Sequence, residues 1–407
     1  MYFNKHGKFP TNDELNNLSW SEKQEILNFD HVKQAHIFHY MIQGLIYYMS
    51  MKSCPLGQMI DFIYRIESQR RGKLHIHMGS YHRDALQLST IELKEVFDGK
   101  NVKKEMELYE YIDKHICCTL PPHESDLYQL VQLQKHAHRK ASCFKRHRMN
   151  CRFFFPRPPM PFTMLLKCHH LKGQEGLSEE EKDELRISRQ NWKTIHDVLE
   201  RTKDYDKKII SQQTNVYNEY NINKPPKYCT IFLEQVQGKY PMSYYTRHDG
   251  KLTEEAFLFA KFLHEDLGGM SVETYFSAVS SSIERHTIML KRKPYEVRIN
   301  NYNPYVLQLW RANTDIQYIL DPYACIVYIM DYIMKGDRES AQIIRQLNAE
   351  MKSENLSLKE KTRKIGNAIL KGQEVSAEDA AWYLLQYDYT RMSRSCLWLD
   401  TNQPQKR

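Results

Sequence analysis

Apolar positions recur at helical spacing in several separate stretches of this chain and at strand spacing in one. Residues 31–51 keep a three-to-four-residue beat, which predicts a long amphipathic helix. Just ahead, Ser19, Trp20, Ser21 and Glu22 match a capping box, so a helix is expected to open there. Around Ile63, Ile66, Leu74 and Ile76 the pattern becomes that of a β-hairpin, reversing through the QRRGK of residues 69–73. Further helices are expected over 104–115, over 124–138, and over 253–267 before Gly268-Gly269. Residues 293–299 and 306–310 read as strands, and Asp321-Pro322 opens a helix through Lys335. The tail, 339–389, reads as mostly helical, with a start signal at Ser376. Residues 173–206 are charged and helical in pattern, and read as an insertion or connector rather than catalytic scaffold. The mixture predicts an α+β fold.

Size and composition narrow the class. A chain of 407 residues with 41% hydrophobic content can bury the cores of two or three domains. The net charge of +8 is modest, but its distribution is not even. Residues 135–157 are dense in Lys and Arg, hold no acid, and interleave Phe144, Phe153, Phe154 and Phe155. Residues 291–293 form a second basic knot. Clustered cations with aromatics point to a phosphate backbone whose bases can be stacked upon, although a solvated basic face is the plainer reading. The nine cysteines are irregularly spaced, with no apolar leader at the N-terminus, so a reducing compartment is expected. No apolar run is long enough to span a bilayer. Internal repeats and a phosphate-binding GxxxxGK[ST] loop are both missing from the sequence.

Three constellations carry chemistry. His75 and His77 lie two apart on the second strand of the hairpin and therefore share a face, with Glu67 on the paired strand. Two imidazoles and a carboxylate aimed at one point suit a divalent ion with open positions; a polar strand face is the competing reading. Tyr328, Tyr332 and Lys335 fall on one helical stripe, although aromatics at this spacing more often serve packing than catalysis. His136, His138, Cys143 and Cys151 offer the ligand types of a tetrahedral structural zinc. Their spacing is not that of a standard finger, and a helix end with exposed histidines and buried cysteines is the alternative. Metal-holding histidines together with tyrosines match the needs of an enzyme that nicks DNA through a phosphotyrosine.

Four ordered blocks extend this match: RIESQRRGKLHIHM (65–78), YIDKHICCTLP (111–121), KHAHRKASCFKRHRMNCRFFFPRPP (135–159) and YNPYVLQLWRANTDIQYILDPYACIVYIMDYIMKG (302–336). Together they resemble the replication-initiator nuclease region of Helitron rolling-circle transposases, a branch of the HUH endonucleases. The resemblance implies an antiparallel sheet flanked by helices, with Glu67, His75 and His77 holding Mg2+ or Mn2+, Tyr328 and Tyr332 as nucleophiles and Lys335 beside them. It also favours structural zinc at the His/Cys cluster. It further implies single-stranded DNA at transposon ends as substrate, nuclear localisation, and a helicase module that is separate or lost. Divided accordingly, 1–172 would be the first part of the nuclease and 173–250 a charged helical connector. The tyrosine-bearing second part would span 251–338, followed by a helical region over 339–407. Few residues precede the first helix, so the family's first strand is expected to be missing. A catalytically inactive single-strand DNA-binding remnant is therefore the alternative expectation. A zinc-dependent RNA-binding protein would account for the basic stretch but not for the tyrosines.

Overall fold

The computed structural model describes residues 7–8, 10–68, 73–144, 150–168, 177–202, 207–222, 224–320, 325, 327–329, 360, 363–364 and 376–395. In chain order its elements begin with α1 (Asn12–Asn17), α2 (Trp20–Asn28), α3 (His31–Ser50), β1 (Met59–Ser68) and β2 (Leu74–His82). Next come α4 (Thr90–Phe97), α5 (Val102–His115), α6 (Asp126–Gln132), α7 (Lys140–Cys143), β3 (Met164–Leu166), α8 (Glu179–Arg201) and α9 (Lys207–Ile222). The remainder are α10 (Lys227–Val236), α11 (Glu254–Glu265), α12 (Val272–Ser282), β4 (Thr287–Met289), α13 (Pro304–Trp310), α14 (Ala377–Leu384) and β5 (Thr390–Met392). The fold is mixed α+β, rich in helices and with little sheet. Among the described residues no helix is long and apolar enough to cross a membrane.

Two compact units divide the chain: Met1–Ala85 with Ile319–Arg407, and Leu86–Tyr318. The first contains an antiparallel sheet in the order β2-β1-β5. The helix starts expected at Ser19 and Ser376 carry their caps, and Asp30 adds a cap outside those expectations. Ser19 and Glu22 exchange bonds in a capping box that opens α2, and Asp30 accepts from the Lys33 amide to open α3. Ala35, Ile42, Leu45 and Met49 form the buried stripe of α3. Ser376 caps α14, whose Trp382 is 1% exposed and meets Phe38 of α3 edge-on at 5.9 Å. Tyr64 and Ile66 of β1 are buried on the apolar face of the hairpin.

In the second unit the apolar payload sits mainly on α11 and α12, where Phe259 and Tyr275 pack edge-on at 5.0 Å. The Tyr275 hydroxyl is not left bare by this burial, because it donates to the Pro159 carbonyl at 2.9 Å. A short antiparallel pair, β3 with β4, and isolated bridges at Cys117–Tyr302, Lys135–Ile299 and Met160–Arg292 tie distant segments together.

Three local expectations change. The segment 306–310 is not a strand but part of α13: Asn303 accepts from the amides of Tyr305 and Val306, and Pro304 supplies a preset first turn. Residues 293–299 do not form a regular strand either. The Glu296 amide donates to the Lys293 carbonyl and that of Ile299 to Glu296, so the backbone turns upon itself. The helix expected over 124–138 is confined to Asp126–Gln132; the amides of Leu133 and Gln134 donate to the Leu130 and Val131 carbonyls in a closing turn, and the Lys135–Ile299 bridge follows.

Candidate metal centres

The pleat of the hairpin brings Glu67 and both histidines to one face. Glu67 pairs directly with His75, and Arg65 with His77, so the four side chains project from the same side of β1 and β2. His77 Nε2 lies 3.3 Å from Glu67 Oε1, and the two imidazole rings meet edge-on at 4.8 Å. Burial, helped by the neighbouring His77 and opposed by Glu67, holds the His75 pKa below its ordinary value. A neutral imidazole keeps a lone pair free for a metal, but among the described residues the group whose ligand atoms converge closely enough to hold an ion is the His/Cys cluster of the second unit, not this face.

Tyr328 joins this face. Its side chain is half exposed, its ring meets that of His77 edge-on at 5.6 Å, and its hydroxyl lies 3.3 Å from His77 Nδ1. The next residue, Ile329, is 4% exposed and rests on β2 at Gly79. A Cβ at Gly79 would stand 3.3 Å from Ile329 Cδ1 and 3.5 Å from Ile63 Cγ2, so the missing side chain is what permits this approach. Tyr332 and Lys335 lie outside the described residues.

The second unit gathers the His/Cys cluster. One ligand atom each from His136, His138, Cys143 and Cys151 lies within 4.8 Å of the others, a group that can hold a metal ion such as zinc. His136 Nε2 is 3.4 Å from each sulfur and 3.3 Å from His138 Nδ1. His136 and His138, two apart in the irregular segment between α6 and α7, both turn toward the cluster. The His136 amide also donates to the Arg298 carbonyl at 2.8 Å. Cys143 is 1% exposed and Cys151 7%. Burial pushes the Cys151 thiol pKa up and drops that of His136 to about 4. The His136 ring stacks on Phe155 at 4.3 Å, sealing one side.

Several residues that matter here carry no local sequence signal. Glu200, at the end of α8, reaches His138 Nε2 at 3.0 Å, and Arg298 Nη2 reaches the other Glu200 oxygen at 3.0 Å. The helix read as a connector thus touches the cluster directly. The aromatics of the basic stretch separate by role: Phe154 stacks on Trp192 of α8 at 5.6 Å, whereas Phe153 is exposed beneath Arg152. In the second basic knot, Lys291 pairs with Asp113 at 2.9 Å and Lys293 with Glu254 at 2.7 Å. Between them, buried Arg292 donates to the carbonyls of Glu296 and Ile299. Both lysines of the knot are thus ion-paired within their own unit, Lys291 at a still exposed position. Cys118 is fully buried in the core of this unit. Comparison with protein-family models, with curated proteins and with solved structures yields no match to this chain.

Proposed function

We propose that the protein is a metal-dependent single-strand DNA endonuclease and strand transferase of the Helitron-like HUH type. The observation that carries the reading is the meeting of Glu67, His75 and His77 on one hairpin face with the Tyr328 hydroxyl 3.3 Å from His77. A Mg2+ or Mn2+ ion held by Glu67, His75 and His77 would supply charge neutralisation and polarisation of a scissile phosphate. Tyr328 Oη would then form a bond to phosphorus as the bond to the 3′ oxygen breaks, leaving a free 3′ hydroxyl and a 5′-phosphotyrosine. Positioning of the phenol beside the ligand face lowers the entropic cost of that attack. Tyr332 would serve a second strand, and Lys335 would offset developing charge. Lys and Arg of residues 135–157 would contact phosphates, with exposed Phe153 available for base stacking. We read the His136, His138, Cys143 and Cys151 group as a structural zinc site, since two thiolates and two imidazoles neutralise the ion and leave no position open.

The test is a covalent-adduct assay on labelled single-stranded DNA with Mg2+ or Mn2+. Wild-type protein should give a denaturation-resistant, metal-dependent adduct. His75→Ala should abolish it while single-strand affinity stays within about twofold, because phosphate contacts dominate binding. DNA binding with no adduct under any divalent ion would favour the inactive remnant.

A further inference from the structure

We propose that Glu200 is a positioning residue of the His/Cys centre, fixing His138 as a ligand through Nδ1; the inference rests on reading that cluster as a metal site. The two nitrogens of His138 have divided surroundings. Nδ1 faces the cluster, 3.3 Å from His136 Nε2, while Nε2 lies 3.0 Å from Glu200 Oε1. A metal-bound imidazole must present its unprotonated nitrogen to the ion, so its proton sits on the other nitrogen and needs an acceptor. A carboxylate at Nε2 selects that tautomer, holds the ring plane and raises the basicity of Nδ1.

Glu200 is itself held. Its second oxygen accepts from Arg298 Nη2 at 3.0 Å, and the Arg298 carbonyl accepts from the His136 amide at 2.8 Å. One arginine therefore locates both histidine ligands, one through its backbone and one through Glu200. Local helix physics does not explain an acid at this position. The last turn of α8 exposes carbonyl oxygens and carries the negative end of the helix dipole, which favours cations. The partners that compensate are Arg298 and His138, both distant in sequence. His196, one turn earlier, lies 3.8 Å from the same Glu200 oxygen and makes a near control. The stack of Trp192 on Phe154 fixes α8 against the cysteine loop independently of Glu200, so removing the carboxylate should leave the helix in place.

The experiment compares full-length wild type, Glu200→Ala, Glu200→Gln and His196→Ala. Zinc content is measured first, then zinc affinity by chelator competition, with melting recorded in excess zinc to check folding. Wild type should carry zinc. Glu200→Ala should bind it about 10–100-fold more weakly yet regain its melting temperature when zinc is saturating. Glu200→Gln, whose amide oxygen still accepts the His138 proton, should lose less, and His196→Ala should match wild type. Zinc-loaded wild type with an unchanged affinity in both Glu200 variants overturns this inference alone. A wild type that neither carries nor binds zinc overturns the metal reading and the inference together. If Glu200→Ala does not fold, the affinity of Glu200→Gln decides: a loss supports the role and wild-type affinity rejects it.

Discussion

Tyr328→Phe separates chemistry from packing more cleanly than any other single change in the hairpin unit. The substitution deletes one oxygen and keeps the ring, so the edge-on contact with His77 at 5.6 Å survives. What is lost is a hydroxyl contact of 3.3 Å on a side chain that is 50% exposed. A hydrogen bond at such a wet position contributes no more than about 0.5–1 kcal/mol. The melting temperature should therefore fall by no more than roughly 2–4 °C. Removing the attacking oxygen has a different scale. Loss of the nucleophile for the first strand should cut adduct formation at least about 100-fold, equivalent to about 2.7 kcal/mol in barrier. Affinity for single-stranded DNA should stay within about twofold, since phosphate contacts do not involve the phenol. The assay combines a denaturing gel of labelled oligonucleotide with Mn2+, a binding titration and a thermal melt on the same preparations. Wild-type adduct yield from Tyr328→Phe would leave Tyr328 as a packing residue. A melt lowered by much more than a few degrees would show that the hydroxyl stabilises the fold beyond what its exposure allows.

Other outcomes follow from the same geometry. Gly79→Ala places a methyl group 3.3 Å from Ile329 Cδ1, so the side chain next to Tyr328 must give by a few tenths of an ångström; adduct formation should fall about 10-fold while divalent-ion affinity, measured by calorimetry, stays at the wild-type value. Cys143→Ser should release about one zinc per chain, read by elemental analysis, and lower the melting temperature, because a structural ion couples its affinity to folding. Acid should destabilise metal-stripped protein in a defined window. The unfolded chain protonates His136 near its ordinary value of 6.5, whereas the folded chain does so only near about 4. The His136 contribution is therefore present above 6.5 and is lost as pH falls toward 4, which urea midpoints across this range would register. Midpoints that stay flat would place His136 in a wetter setting than its neighbours imply.

How far the sequence could be read depended on where each residue's partner lies. The hairpin face was legible because pleating fixes which side chains share a side: His75 and His77 two apart, with Glu67 directly opposite His75. Capping at Ser19 and Ser376 was legible for the same reason, since donor and acceptor lie within a few residues. The segment 306–310 was misread because its Val and Trp favour strand, whereas Asn303 and Pro304 just upstream start a helix. The ligand types of the His/Cys cluster were visible, yet their convergence depends on the chain leaving α6 at Gln132 and pairing with Ile299. Glu200 was hidden among the many acids of α8, and only its contact with His138, 62 residues away, distinguishes it. The same blindness inflated the second basic knot. Lys291 and Lys293 look like free cations until Asp113 and Glu254 are seen beside them. A ligand is chosen for its own chemistry, which one letter of sequence records. A residue that orients a ligand is chosen for its position, which the sequence does not record. The weight of the functional reading therefore rests where position matters most: on Gly79, on Tyr328 beside His77, and on Glu200 behind His138.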